Sequence, residues 1–237
     1  MIWQEGCCLS NHMGKIKYIG ALLIAVACIG LQQVNADSVT YYLTQGNPAI
    51  SGAISGYTGP YAAVAVDRTD STHATLTFKS LTGNGNIYLF GSASSIAVNV
   101  NATLWKLGPI TGSNSGTGFT PGIFSNGGSG NVDGFGVLNQ TIDSFDGFKH
   151  SSSTMSFTLT NMSGSWSSAG QVLMANAQGY FAAAHIFVTT YPANAANGAL
   201  VTGYVANGAQ VPDGGATVML LGAALGALGM VRRYLRR

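Results

Sequence analysis

The chain has 237 residues, enough for one medium-sized folded unit without division. Only 8% of them are charged, and Lys15, Lys17, Arg232, Arg233, Arg236 and Arg237 lie in the two terminal segments. Residues 37–210 therefore carry Arg68, Lys79, Lys106 and Lys149 against six aspartates, a net charge of −2 that excludes the basic footprint of a nucleic-acid binder.

From Met13 the sequence reads MGKIKYIGALLIAVACIGLQQVNADS. Two lysines, an apolar stretch over residues 19–31 and the small-residue site Val34-Asn35-Ala36 describe a secretory signal peptide, with cleavage between Ala36 and Asp37. The leader is thus residues 1–36, and Met13 is the better start within it. The alternative is an uncleaved anchor, but the apolar stretch falls short of the ~20 residues a span prefers. Cys7, Cys8 and Cys28 all precede residue 37, so the processed chain has no thiol for a disulfide, a zinc site or a nucleophile.

Residues 37–207 form the expected folded domain. Period-two alternation recurs: Ala74, Leu76 and Phe78 oppose Thr75, Thr77 and Lys79, and Ile96, Val98 and Val100 oppose Asn99 and Asn101. Further strand candidates are residues 39–43, 62–66, 87–90, 135–142, 155–160, 171–174, 183–190 and 200–205, separated by Gly/Asn turns such as TGNGN. No segment here sustains a capped helical period. The expected class is all-β, an antiparallel β-sandwich of jelly-roll type. Residues 108–130, GPITGSNSGTGFTPGIFSNGGSG, read as a long mobile loop, and residues 193–199 as a hairpin loop.

Chemistry-bearing residues are sparse. Asp133, Asp143 and Asp146 form the densest acidic group and are the candidates for a Ca²⁺ site. Their spacing fits no EF-hand, no Glu follows Asp37, and Asp133-Gly134 and Asp146-Gly147 are ordinary turn dipeptides, so structural turns are the competing reading. Of His73, His150 and His185, none has zinc-site spacing, and no serine sits in a G-x-S-x-G elbow. The expectation is no enzyme, no catalytic residue and no cofactor. Tyr41, Tyr42, Tyr57, Tyr61, Trp105 and Trp166 are candidates to stack on sugar rings, with burial in the core as the alternative.

The carboxy-terminal segment, residues 211–237, is VPDGGATVMLLGAALGALGMVRRYLRR. Its apolar run over residues 216–231 would be ~24 Å long as a helix, slightly short of a ~30 Å hydrocarbon core. Arg232, Arg233, Arg236 and Arg237 would mark the cytoplasmic side and leave residues 37–210 outside. Pro212 holds Val211 extended, while Gly214 and Gly215 allow close backbone approach. This tripartite tail resembles the PEP-CTERM class of bacterial sorting signals, and Val211-Pro212-Asp213-Gly214-Gly215 is similar to its VPDSG variant with glycine at position 214. The resemblance implies a transient membrane span recognised by an exosortase, a membrane protease-transpeptidase with a cysteine nucleophile. The protein would then pass to the cell surface or extracellular matrix. The alternative is a permanent single-span anchor behind a Pro/Gly linker.

Residues 135–188, with GFGVLNQTIDSFDGF, SFTLT, Trp166 and VLMANAQGYFAAAHIFV in that order, also resemble the globular part of some PEP-CTERM proteins. The family has no common activity to transfer. The expected role is structural or adhesive, at the surface or in a biofilm matrix. The alternative is an exopolysaccharide-binding or exopolysaccharide-modifying protein.

Overall fold

The computed structural model describes residues 36–211 and Leu225. The expected leader up to Asn35, and the sorting tail from Pro212 onward apart from Leu225, lie outside the described residues. No helix among the described residues is long and apolar enough to cross a membrane.

Twelve strands form one antiparallel sheet. They are β1 (Asp37–Gly46), β2 (Ala62–Arg68), β3 (His73–Ser80), β4 (Thr82–Gly83), β5 (Asn86–Phe90), β6 (Ile96–Val98), β7 (Trp105–Ser113), β8 (Ser125–Val132), β9 (Gly136–Asp143), β10 (Thr154–Asn161), β11 (Ala182–Thr190) and β12 (Val201–Val211). A single helical turn, α1 (Pro48–Ser51), follows β1. The path runs β7-β10-β3-β2-β1-β12-β11-β6-β9-β8, with β5 beside β6 on β11 and β4 on β5.

Alternation builds these strands as expected. Val39, Tyr41 and Leu43 on β1, Val64 and Val66 on β2, and Ala74, Leu76 and Phe78 on β3 all point into one core. Burying each large apolar side chain is worth roughly 1.5–3 kcal/mol, which makes the register hard to slip by one residue. Outside the sheet, Ala97, Ala183 and Ala206 present small side chains on which Val132, Phe135 and Leu138 of the β8–β9 hairpin pack. That hairpin therefore lies over the outer face of β11 and β12.

The all-β, antiparallel class is as expected, but the division into two hydrogen-bonded sheets is not what the strands do. They curl round the core as one path, and two devices nearly close it. Phe90 and Ser152 exchange both backbone hydrogen bonds at 2.8 Å, joining β5 to the chain just before β10. At the other seam Trp105 Nε1 of terminal strand β7 donates to Gln140 Oε1 at 2.9 Å. Gln140 Nε2 donates in turn to Asn126 Oδ1 of terminal strand β8 at 2.7 Å.

The expected mobile loop over residues 108–130 is overturned, since β7 and β8 occupy both of its ends. Both are edge strands with one neighbour each, β10 and β9. An edge strand tolerates Pro109, whose missing N–H faces no partner strand, and it tolerates glycine where one face is not packed. Residues 171–174 are not a strand either: Val172 and Leu173 are buried behind a 3₁₀ turn, and only Leu173 bridges, to Val100. The TGNGN turn is a two-residue hairpin between β4 and β5, with Asn84 at φ 50° and Gly85 at φ 75°. Those positive values are the ones an Asn-Gly hairpin turn supplies. Residues 193–199 fall in the β11–β12 connection, as expected.

Candidate functional site

The two junctions at which processing is expected sit at one end of one strand pair. Asp37, the residue after the expected leader cleavage, is the first residue of β1. Its Oδ1 accepts from Arg68 Nε at 2.6 Å, and its Oδ2 accepts from the Ala169 backbone N–H at 2.7 Å. Arg68 is almost fully buried, 5% exposed, and its side chain also reaches the Trp166 carbonyl at 3.5 Å. Trp166 is buried and donates from Nε1 to the Asn101 carbonyl at 2.7 Å. One carboxylate thus ties the start of β1 to the end of β2 and to the segment after β10.

The partner of β1 at this end is the last strand. Thr40 pairs with Val211 and Tyr41 with Gln210, so β12 runs to the first residue of the Val211-Pro212-Asp213-Gly214-Gly215 motif. The start of β1 and the end of β12 at Val211 therefore lie at the same end of one strand pair. Of the motif and arginine-cluster residues only Val211 is described; Pro212 to Gly215, Arg232, Arg233, Arg236 and Arg237 are not.

Of the three candidate calcium ligands, Asp133 serves one loop and Asp143 and Asp146 serve another. Asp133 Oδ2 accepts from Asn47 Nδ2 at 2.9 Å, at the tip of the β8–β9 hairpin. Asp143, at the opposite end of that hairpin, accepts from the Ser94 backbone N–H at 2.7 Å. Asp146 accepts from Ser92 Oγ at 3.2 Å. Ser92 and Ser94 have φ of 66° and 50°, so the two carboxylates steady a loop in the left-handed region. Among the described residues no group of three or more His, Cys, Asp or Glu could hold a metal ion.

Among the described residues no hydrogen bond or ring contact joins two of His73, His150 and His185. His73 is exposed at the start of β3, with Nδ1 at 2.8 Å from Asp70 Oδ2. The Asp70 carboxylate also accepts the Thr72 and His73 backbone N–H groups, and the Thr72 N–H leads in holding its pKa down to about 2. His150 donates to the Thr120 carbonyl at 2.8 Å. His185 donates from Nδ1 to the Gly91 carbonyl at 2.9 Å, which leaves Nε2 to accept from Thr202 Oγ1 at 2.8 Å. Burial lowers the His185 pKa, favouring this neutral form. The ring stacks on Tyr204 at 4.5 Å and forms no hydrogen bond with a carboxylate or a serine among the described residues.

The sugar-stacking candidates divide by strand face. Tyr41, Tyr61 and Trp166 are buried, and Tyr42, Tyr57 and Trp105 are half-buried, so they make no exposed row. Sequence reasoning missed a different aromatic, Tyr191, which is 58% exposed just past β11. It lines an open cleft of about 520 Å³ with Lys79, Thr82, Ser113, Ser115 and Thr154. The ends of β3, β7 and β10 bring these residues together, and no sequence pattern signals that meeting.

Neither a curated protein nor a solved structure matches this chain. A family model described as the VPDSG-CTERM motif matches residues 210–235. Such a motif supports export and sorting by an exosortase-like system. The chain carries a VPDSG-CTERM motif, a PEP-CTERM-like sorting signal, at its carboxy-terminal end.

Proposed function

We propose that the protein is a structural or adhesive component of the cell surface or extracellular matrix, delivered there by two processing steps. The leader is cut after Ala36. The apolar run over residues 216–231 then holds the protein in the inner membrane, with Arg232, Arg233, Arg236 and Arg237 on the cytoplasmic side. An exosortase-like enzyme acts at Val211-Pro212-Asp213-Gly214-Gly215 and releases or transfers the domain.

The observation that carries this reading is the match over residues 210–235, in which motif, apolar run and arginine cluster follow in order. The strand pair β1–β12 supports it, because β1 opens at Asp37 and β12 reaches Val211. Cutting at both junctions would leave the barrel and its core whole. The structural or adhesive role, without enzymatic activity, is supported by a surface of hydroxyl and amide side chains and by the scattered placement of the histidines and aspartates.

The test is replacement of Pro212 and Asp213 by alanine in the native host. Retention of the double variant in the inner membrane, while the unaltered chain leaves it, is expected. Equal release of both would refute recognition of the motif.

A further inference from the structure

We propose that the cleft between the ends of β3, β7 and β10 binds a carboxylate-bearing saccharide chain. The inference deepens the adhesive reading above and rests on it for its biological setting. Its chemistry comes from the cleft alone.

The volume, about 520 Å³, falls within the roughly 300–1,000 Å³ usual for ligand sites. The cleft is open rather than enclosed, so a polymer could lie through it. Lys79, Thr82, Ser113, Ser115, Thr154 and Tyr191 line it, and the ammonium and hydroxyl groups of these side chains have no hydrogen-bond partner among the described residues. Five hydroxyls free to donate or accept suit a ligand that is itself rich in hydroxyls. The exposed Tyr191 supplies an aromatic face, which suits the C–H face of a pyranose.

Charge selects within that class. No carboxylate lines the cleft, and Lys79 is one of only four positive residues between Asp37 and Gln210. Its cross-strand neighbours, Ala63 on β2 and Thr154 on β10, are uncharged. The two ion pairs among the described residues are Arg68 with Asp37 and His73 with Asp70, so the Lys79 ammonium has no acidic partner there. An ammonium set among free hydroxyls favours a ligand with a negative group. A single cation is too little for a polyphosphate or nucleic-acid backbone.

Position fits a surface role as well. Lys79 pairs with Ala63 at the end of the β2–β3 ladder opposite to Arg68 and Ala74, and Arg68 is the partner of Asp37. The cleft is therefore at the far end of these strands from both processing junctions, and a domain held by its tail would present it away from the membrane.

The test is titration calorimetry on the full-length protein in detergent micelles, with tetragalacturonate and the neutral maltotetraose as probes. Tetragalacturonate is expected to bind at least tenfold more tightly than maltotetraose. Lys79→Gln should reduce that preference to under threefold, and Tyr191→Ala should weaken tetragalacturonate at least tenfold. Both residues are exposed, and unchanged melting temperatures of the two variants would certify their folds. Absence of binding by the unaltered protein would overturn the proposal without any variant. So would equal affinity for the two probes that Lys79→Gln leaves unchanged. Binding is read in solution and sorting by fractionation of cells, so failure of either leaves the other standing.

Discussion

Asp37 accepts from Arg68 Nε at 2.6 Å while its second oxygen holds the Ala169 N–H at 2.7 Å, so the residue behind the expected leader junction locks three segments of the domain. The same strand end pairs with the start of the sorting motif through Thr40 and Val211. The Asp37 lock and the two proposed processing junctions are therefore neighbours.

Replacing Asp37 by Asn should destabilise the domain by about 1–3 kcal/mol. Removing one partner of a fully buried pair costs more, about 3–5 kcal/mol, but the Asp37 side chain is 37% exposed and water softens the loss. The urea midpoint of the variant reads this. An unchanged midpoint would show that Arg68 is held without the carboxylate.

Tyr41 is fully buried against Phe181 at 5.3 Å, and its hydroxyl has no hydrogen-bond partner among the described residues. An unpartnered buried hydroxyl costs about 1–3 kcal/mol in desolvation. Tyr41→Phe should therefore be neutral or stabilising, by up to about 1 kcal/mol. A loss of stability in denaturant titration would mean that the hydroxyl finds a partner.

Burial pushes the Tyr41 hydroxyl up to about 12, and it raises Tyr61, Tyr88 and Tyr204 in the same direction. The neutral form is the one the fold accepts, so this stability is fully present below the unfolded value of 10.0 and is lost as pH rises through the folded values. Melting temperature should fall between about pH 10 and pH 12, and the fall should be shallower in Tyr41→Phe. Parallel curves for the two proteins would contradict the assignment to Tyr41.

Trp105 is the clasp across the seam between the terminal strands. Trp105→Phe keeps an aromatic ring but removes the donor to Gln140 Oε1, whose side chain is buried. Leaving that acceptor unmet should cost about 1–3 kcal/mol and speed amide exchange in β7 and β8 ahead of β1 and β2. Uniform exchange across all four strands would argue against a local seam.

The strands most legible in the sequence are those with one wet face and one packed face. Ala74, Leu76 and Phe78 announce β3 because every second residue enters the core. β7 and β8 were illegible for the opposite reason. As edge strands they accept Pro109 and the Gly127-Gly128-Ser129-Gly130 run, which elsewhere signal loops. Closure of the sheet was equally hidden, since Trp105 meets Gln140, and Gln140 meets Asn126, only through long-range folding. The sorting signal was legible because it is linear: motif, apolar run and arginines are read in order along the chain. The Tyr191 cleft was not, because Lys79, Ser113 and Thr154 are distant in sequence and meet only across the β3–β10–β7 ladder.

Intact mass combined with fractionation reads whether an exosortase-like enzyme cuts the domain from its tail, as proposed. The protein would be recovered from its native host with and without that enzyme. A mass beginning at Asp37 and ending within Val211 to Gly215, found outside the inner membrane only when the enzyme is present, is the predicted result. A mass retaining Arg237 in the inner membrane of both strains would contradict it and leave a permanently anchored surface domain.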